Sequence, residues 1–264
     1  MVNITSLGFR TDLRLLELAG SEVTDRGEYV VVRTPRNPAF WWGNFLLLRT
    51  PFAPGDTTAR LALFQTEFPD AKHVAMGIDS VDRVIGAEDE LLAAGFELEP
   101  STVMTASRVN EPARPNEAAE YRLLSGDRDW EQLTELGLAS ATMTVDEAYE
   151  DFTRGRTRSA RELVESGQGF WFGAFEGERL LASLGLVPDG QGAARFQTVQ
   201  THPEARNRGL ASTLVHRAAA YGLDELGAKT LVIVADPEYV AVRIYRALGF
   251  EDTETQLQVI RPAA

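Results

Sequence analysis

The sequence predicts a mixed α/β protein built as two copies of one unit in tandem, and three observations carry that expectation. Strand-sized and helix-sized apolar patterns alternate along the 264 residues. A polar stretch with two prolines, "RVNEPARPNE" at 108–117, divides the chain into halves of similar length. The halves also end alike. "LLAAGFELEPSTVM" and "YRALGFEDTETQLQ" align Gly95-Phe96-Glu97 with Gly249-Phe250-Glu251, an offset of 249 − 95 = 154. The same offset carries Val30–Val32 onto Leu184–Leu186 and Trp42 onto Phe196, each in a strand-like run. The expected partition is a domain over 1–107, a linker over 108–117 and a domain over 118–264.

In the first half, "EYVVVRT" (28–34) and "FWWGNFLLL" (40–48) read as strands, rich in β-branched and aromatic residues. A helix "DTTARLALFQTEF" (56–68) follows, then strand "KHVAMGID" (72–79), helix "EDELLAAG" (88–95) and strand "FELEPSTVM" (96–104). The second half opens with a short strand at 119–125. Two helices come next, at 128–140 and 144–167, the latter capped by Thr144 ahead of acidic residues. Strands at 169–175, 179–187 and 193–201 are separated by the turns "EGE" and "PDGQG". A helix from about Gly209 to Leu226 places Leu210, Leu214, Ala218 and Tyr221 on one stripe. Strand "KTLVIVAD", helix "EYVAVRIYRALG" and strand "FEDTETQLQVI" complete the order.

Composition narrows the function. With no cysteine there is no disulfide framework, thiolate metal site or cysteine nucleophile, which fits a reducing cytoplasm. His73, His202 and His216 lack metal-ligand spacing, so no metal is expected. The start lacks a secretion-signal pattern, and no apolar run reaches the roughly 20 residues of a membrane helix. A formal net charge of −13 disfavours nonspecific nucleic-acid binding. It suits solubility, and it also suits a cationic substrate such as an amine.

Against that acidic background, "HPEARNRGLASTLV" (202–215) sets Arg206 and Arg208 before an apolar-periodic helix. The first amides of a helix lack internal partners, and the macrodipole adds positive character there. A phosphate satisfies both if nothing bulky blocks it. Gly209 and Ala211 keep the approach narrow, Ser212 adds a hydroxyl, and the arginines supply forked donors. The triphosphate motif G-x-x-x-x-G-K-[ST] and the dinucleotide motif G-x-G-x-x-G are both missing.

Arg206-Asn207-Arg208-Gly209-Leu210-Ala211 resembles the phosphate-loop signature of the GNAT superfamily of acyl-CoA-dependent N-acyltransferases. "EYVAVRIYRALGFE" resembles that family's Asn-x-x-Ala-x-x-x-Tyr-x-x-x-Gly-Phe segment, with Ala241, Tyr245, Gly249 and Phe250 in register and Glu238 in place of the asparagine. The resemblance covers about 117–264. It implies a mostly antiparallel twisted sheet flanked by helices in each unit, with acetyl-CoA as acyl donor. It also implies a bulge in the fourth strand, which frees backbone groups from about Val199 through Gln200 to Thr201 for the pantetheine arm and the reacting carbonyl. The family's tyrosine maps to Tyr245, the proton donor to the departing thiolate.

The reaction so implied is direct attack of a small-molecule or protein amine on the thioester. No base stands out: Asp236 and Glu238 end a strand near where an amine would enter, His202 lies in a turn, and a water relay serves equally. The chain is expected to act as a monomer or homodimer. A non-catalytic acyl-CoA sensor is the alternative, motivated by Glu238 and the missing base.

In the first copy the corresponding loop reads "RTPFAPGDTTAR". It keeps Arg49 and Gly55, but prolines replace donors and Asp56 is expected to cap the helix. The tyrosine position, 245 − 154 = 91, is Leu91. The first copy is therefore expected to keep the fold and lose the site, serving as a wall and a support.

Overall fold

The computed structural model describes residues 2–38, 40–141 and 144–262. In chain order the elements of the first half are α1 (Leu7–Leu18), β1 (Glu22–Asp25), β2 (Tyr29–Arg33), β3 (Phe45–Leu48), α2 (Thr57–Glu67), β4 (His73–Ile78), α3 (Glu88–Ala93) and β5 (Glu97–Ala106). The second half supplies β6 (Glu120–Leu123), α4 (Gly126–Ala139), α5 (Glu147–Glu165), β7 (Phe170–Glu176), β8 (Arg179–Pro188), β9 (Ala193–Thr201), α6 (Leu210–Asp224), β10 (Thr230–Ala235), α7 (Ala241–Ala247) and β11 (Glu251–Pro262). No helix among the described residues is long and apolar enough to cross a membrane.

The offset of 154 holds best over the helices and closing strands: α2 shifted by it falls within α6, α3 within α7 and β5 within β11. It fails at Trp42. "FWWGNFLLL" is not one strand, because Trp41–Gly43 form a single 3-10 turn before β3. Asn44 closes that turn. Its side-chain Oδ1 accepts from the Thr34 N–H at 3.0 Å, and its side-chain Nδ2 donates to the carbonyls of Asn37 and Phe40 at 2.9 Å each.

Two compact units emerge, and they are not the two halves. One comprises Met1–Met104, Val234–Tyr239 and Asp252–Ala264; the other comprises Thr105–Ile233 and Val240–Glu251. Against the expected boundaries, β11 leaves the 118–264 stretch. It pairs antiparallel with β4, from Leu257 opposite Ile78 to Pro262 opposite His73. Its Glu254 carboxylate also accepts from the Leu7 N–H at 2.9 Å, at the start of α1. Burial explains the exchange: Val259 and Leu257 join Met76, Ile78 and Leu91 in the first unit's core, and an apolar strand face goes where it can be covered.

In the first unit β1, β2 and β3 form an antiparallel meander, and β4 runs parallel to β3 after the α2 crossover. Helix α1 was absent from the sequence reading. It is amphipathic, capped by Ser6, and buries Phe9 and Leu13 against Val30, Val32, Phe45 and Leu47.

In the second unit β6, β7, β8 and β9 are antiparallel neighbours, and β10 joins β9 in parallel after α6. The sheet is covered on both faces. Tyr221 of α6 meets the rings of Phe170 and Phe172 at 5.3 Å on one side. Trp171, pointing the other way by strand alternation, faces Leu133 of α4 and Ala160 of α5. Helix α5 is capped by Asp146, not by the expected Thr144; the Asp146 carboxylate accepts from the Tyr149 N–H at 2.9 Å. An acidic Asp at that position satisfies an orphan donor and also meets the positive helix end.

Candidate active site

The register of β8 against β9 slips where the resemblance places a bulge. Ser183 faces Gln200 and Gly185 faces Gln197, so one residue of β8 opposes two of β9. Thr198, inside the slip, has φ +47, a left-handed conformation uncommon for a β-branched residue. Beyond the slip, Gln200 and Thr201 rejoin β8 opposite Ser183 and Ala182. On its other edge β9 pairs with β10 only through Ala193, Ala194 and Arg195. The backbone from Phe196 past Val199 to Thr201 therefore has an edge with no strand against it among the described residues. Such an edge can pair with an extended ligand as an added strand would.

Next to it lies the entrance of α6. A 3-10 turn at Pro203–Ala205, with His202 accepting from the Glu204 N–H at 3.3 Å, reverses the chain. Asn207 and Gly209 have φ +61 and +77, a left-handed alternation that turns successive N–H groups toward one concave side. The first backbone donor with a partner is Thr213, bonded to the Gly209 carbonyl at 3.1 Å. The amides of Asn207, Arg208, Gly209, Leu210, Ala211 and Ser212 donate to no acceptor among the described residues.

The side chains divide unevenly. Arg206 is exposed and makes no ion pair among the described residues. Arg208 is held by the Glu176 carboxylate of β7. The Ser212 hydroxyl donates to the Gly209 carbonyl at 3.0 Å, and the Leu210 side chain is in the core. Gly209 is required for a reason the sequence did not disclose: a Cβ there would sit 2.5 Å from the Arg114 carbonyl oxygen. The stretch 108–117 is thus not a free tether. The Asn116 N–H donates to the Thr213 hydroxyl and its side-chain amide to the Arg208 carbonyl, both at 2.9 Å. Thr213 in turn donates to the Gly209 carbonyl at 2.9 Å. Asn116 and Thr213 were missed because their partners lie 97 and 92 residues away.

Tyr245 is 5 % exposed on α7. Its ring lies 6.4 Å from Phe250, whose ring is edge-on to Phe196 of β9 at 5.8 Å. That aromatic chain sets Tyr245 beside β9 just ahead of the bulge. Asp236 and Glu238 fall in the exposed turn after β10, where the Asp236 carboxylate accepts from the Glu238 N–H at 2.8 Å. They belong to the stretch that packs with the first unit.

The first copy's loop is differently engaged. Arg49 is bound to Asp79 at 3.1 Å and to Asp25 at 3.0 Å. Asp56 stands at the N-cap position of α2, but contrary to expectation its carboxylate makes no cap bond; it accepts from the Ala53 N–H at 3.2 Å. The carboxylate that matters is Glu90 of α3, which accepts from the Gly55 N–H at 2.9 and 3.1 Å. Leu91 is fully buried.

A bulged strand with an edge that no strand covers among the described residues thus runs into a helix entrance whose amides are unbonded among them. Residues 130–250 match the Acetyltransferase (GNAT) family, so the match falls in the carboxyl-terminal half of the chain. No protein of curated function matches the sequence. Among solved structures, the chain is similar to a GCN5-related N-acetyltransferase from Kribbella flavida, with 14% identity, TM-score 0.67 and 98% of each chain covered. It is also similar to a functionally unknown conserved protein from Staphylococcus epidermidis, with 11% identity, TM-score 0.69, and 93% and 95% covered. A tandem GNAT protein from the clavulanic acid biosynthesis pathway matches with 16% identity and TM-score 0.58, covering 89% of this chain and 82% of that one. At these identities the likeness is one of fold.

Proposed function

We propose that the second unit is an acetyl-CoA-dependent N-acetyltransferase acting on a primary amine, and that the first copy is a degenerate GNAT-like unit that lost its site. The observation that carries this reading is the set of amides at 207–212, unbonded among the described residues, beside the bulge of β9. Acetyl-CoA, when bound, supplies the activated acyl group. The N–H groups of 207–212 and the Arg206 guanidinium hold its diphosphate, and the unpaired edge from Val199 to Thr201 holds its amide arm. Free backbone N–H groups on that edge also stabilise negative charge on the carbonyl oxygen. The Tyr245 hydroxyl holds the proton for the departing thiolate. Asp236 and Glu238 are the carboxylates we assign, more weakly, to the incoming amine. A chain without cysteine suits the cytoplasm, where we place it.

Calorimetric titration with acetyl-CoA tests the cofactor reading; absence of heat at millimolar ligand ends it. A thiol-release assay over a panel of amines tests turnover. Binding without any Tyr245-dependent release would make the protein an acyl-CoA sensor.

A further inference from the structure

A second feature of the same unit concerns the acceptor, and it rests on the acyltransferase reading. The bulge that frees the edge of β9 also re-aims its side chains. Thr198 and Gln200 line a narrow cleft with Trp171 of β7, Leu133 of α4, and Arg156 and Thr157 of α5. The free space within it is about 10 Å³, room for a water-sized group rather than a whole molecule.

Arg156 is the unusual member. Nearby Arg154 pairs with Glu150, and Arg161 with Asp127 and Glu165. Arg156 makes no ion pair or hydrogen bond among the described residues. Its guanidinium carbon stands 5.7 Å from the centre of the exposed Phe152 ring, its only aromatic neighbour of that kind among the described residues. Its Nη2 and the Gln200 Oε1 come within 3.6 and 4.0 Å of the point where a Gly137 Cβ would stand. The residue is exposed by area, yet burial by surrounding protein atoms lowers its pKa. Both hold together for a group in a concave recess, open to solvent on one side and ringed by protein on the others. A guanidinium stays charged there, with the Phe152 ring and no carboxylate beside it among the described residues.

We propose that the cleft between α5 and the β9 bulge is an acceptor subsite, and that Arg156 recognises the carboxylate of an amine substrate that carries one. The planar fork of Arg156 matches a carboxylate, and Gln200 and Thr198 offer further hydrogen bonds at the floor. The acceptor class is then an amino acid or a related amino-carboxylate rather than a simple alkyl amine or a polyamine. Phe152 and Tyr149, with rings 6.2 Å apart on the same helix, can cover an apolar portion of it.

The test uses matched pairs that differ by one carboxylate: phenylalanine against phenethylamine, and lysine against cadaverine. Each pair is assayed for kcat/KM with the full-length protein, its Arg156→Ala and Arg156→Lys forms, and titrated in parallel without acetyl-CoA. The carboxylate-bearing member should win by at least about tenfold, the worth of one charge-assisted contact of about 1.4 kcal/mol. That ratio should collapse in Arg156→Ala and partly return in Arg156→Lys. Turnover with no carboxylate preference, or a preference indifferent to Arg156, overturns the subsite and leaves the enzyme. Carboxylate-dependent binding lost in Arg156→Ala, with no amine acetylated, retains the subsite and removes the transferase reading. Weakened acetyl-CoA binding in Arg156→Ala would place the residue on the cofactor and overturn the proposal. No binding and no turnover with any pair removes both.

Discussion

Gly55 and Gly209 stand 154 residues apart, each at the entrance of a crossover helix and each with positive φ, +85 and +77. The backbone path is repeated, and the chemistry is not. At Gly209 the next several amides are unbonded, and Arg206 makes no ion pair, among the described residues. At Gly55 the Glu90 carboxylate already takes the N–H, and Arg49 is clamped between Asp25 and Asp79. A helix entrance can hold an anion only with donors the fold leaves unsatisfied, and at Gly55 an internal carboxylate already takes one.

Several experiments can break this contrast or sharpen it. The largest effect is expected at the paired positions Tyr245 and Leu91. Tyr245→Phe should lower kcat by about 10²- to 10⁴-fold, the range for a lost general acid, with acetyl-CoA affinity nearly unchanged; an unaltered kcat would reduce Tyr245 to a packing residue. Leu91→Ala should leave kcat alone and cost about 3 kcal/mol in denaturant unfolding, as for a buried leucine. An effect on turnover with no loss of stability would show that the first copy still contributes to chemistry.

Next in size are the two glycines. Gly209→Ala meets both an unfavourable φ and the Arg114 carbonyl, and should cost about 3 kcal/mol with loss of acetyl-CoA binding. Gly55→Ala has open space around the new methyl, so only the φ penalty of about 1 kcal/mol applies. Equal costs would mean that the linker does not press on the second entrance.

Arg206→Ala should weaken acetyl-CoA about tenfold, more at low ionic strength, because the contact is between exposed charges. A salt-independent loss would point to folding instead. The smallest effect is expected for Glu90→Gln, which keeps the shape and removes the charge at Gly55. Stability should fall by about 1 kcal/mol or less. Any gain of phosphate binding there, by titration with inorganic phosphate, would show that Glu90 alone silences the first entrance.

Much of this was legible in the chain. The paired apolar endings, the offset of 154 and the order of strands and helices in the second half all appear where the periodicity places them. So does the bulge that the resemblance implies in the fourth strand, where the register slips around Thr198 and Val199, at the start of the stretch expected to be freed. Local signals misled where side chains decide between local states. The Trp41-Trp42 run looks like strand, yet the Asn44 amide folds it into a turn. Asp146, not Thr144, satisfies the first donors of α5. Helix α1 escaped notice although Ser6 and the spacing of Phe9 and Leu13 announce it.

The sequence by itself determined the class of fold, the repeat and the position of the helix entrance. Those follow from periodicity, turn residues and backbone donors, all local in the chain. Only the tertiary structure decided that Glu90 rather than Asp56 occupies the first entrance, that β11 completes the first unit's sheet, that 108–117 braces Gly209, and that Arg156 has no counter-charge among the described residues. Each depends on partners tens to hundreds of residues away, brought together by the burial of apolar surface. Burial is indifferent to sequence distance, so a pattern read along the chain cannot anticipate which charges and amides it leaves unmatched.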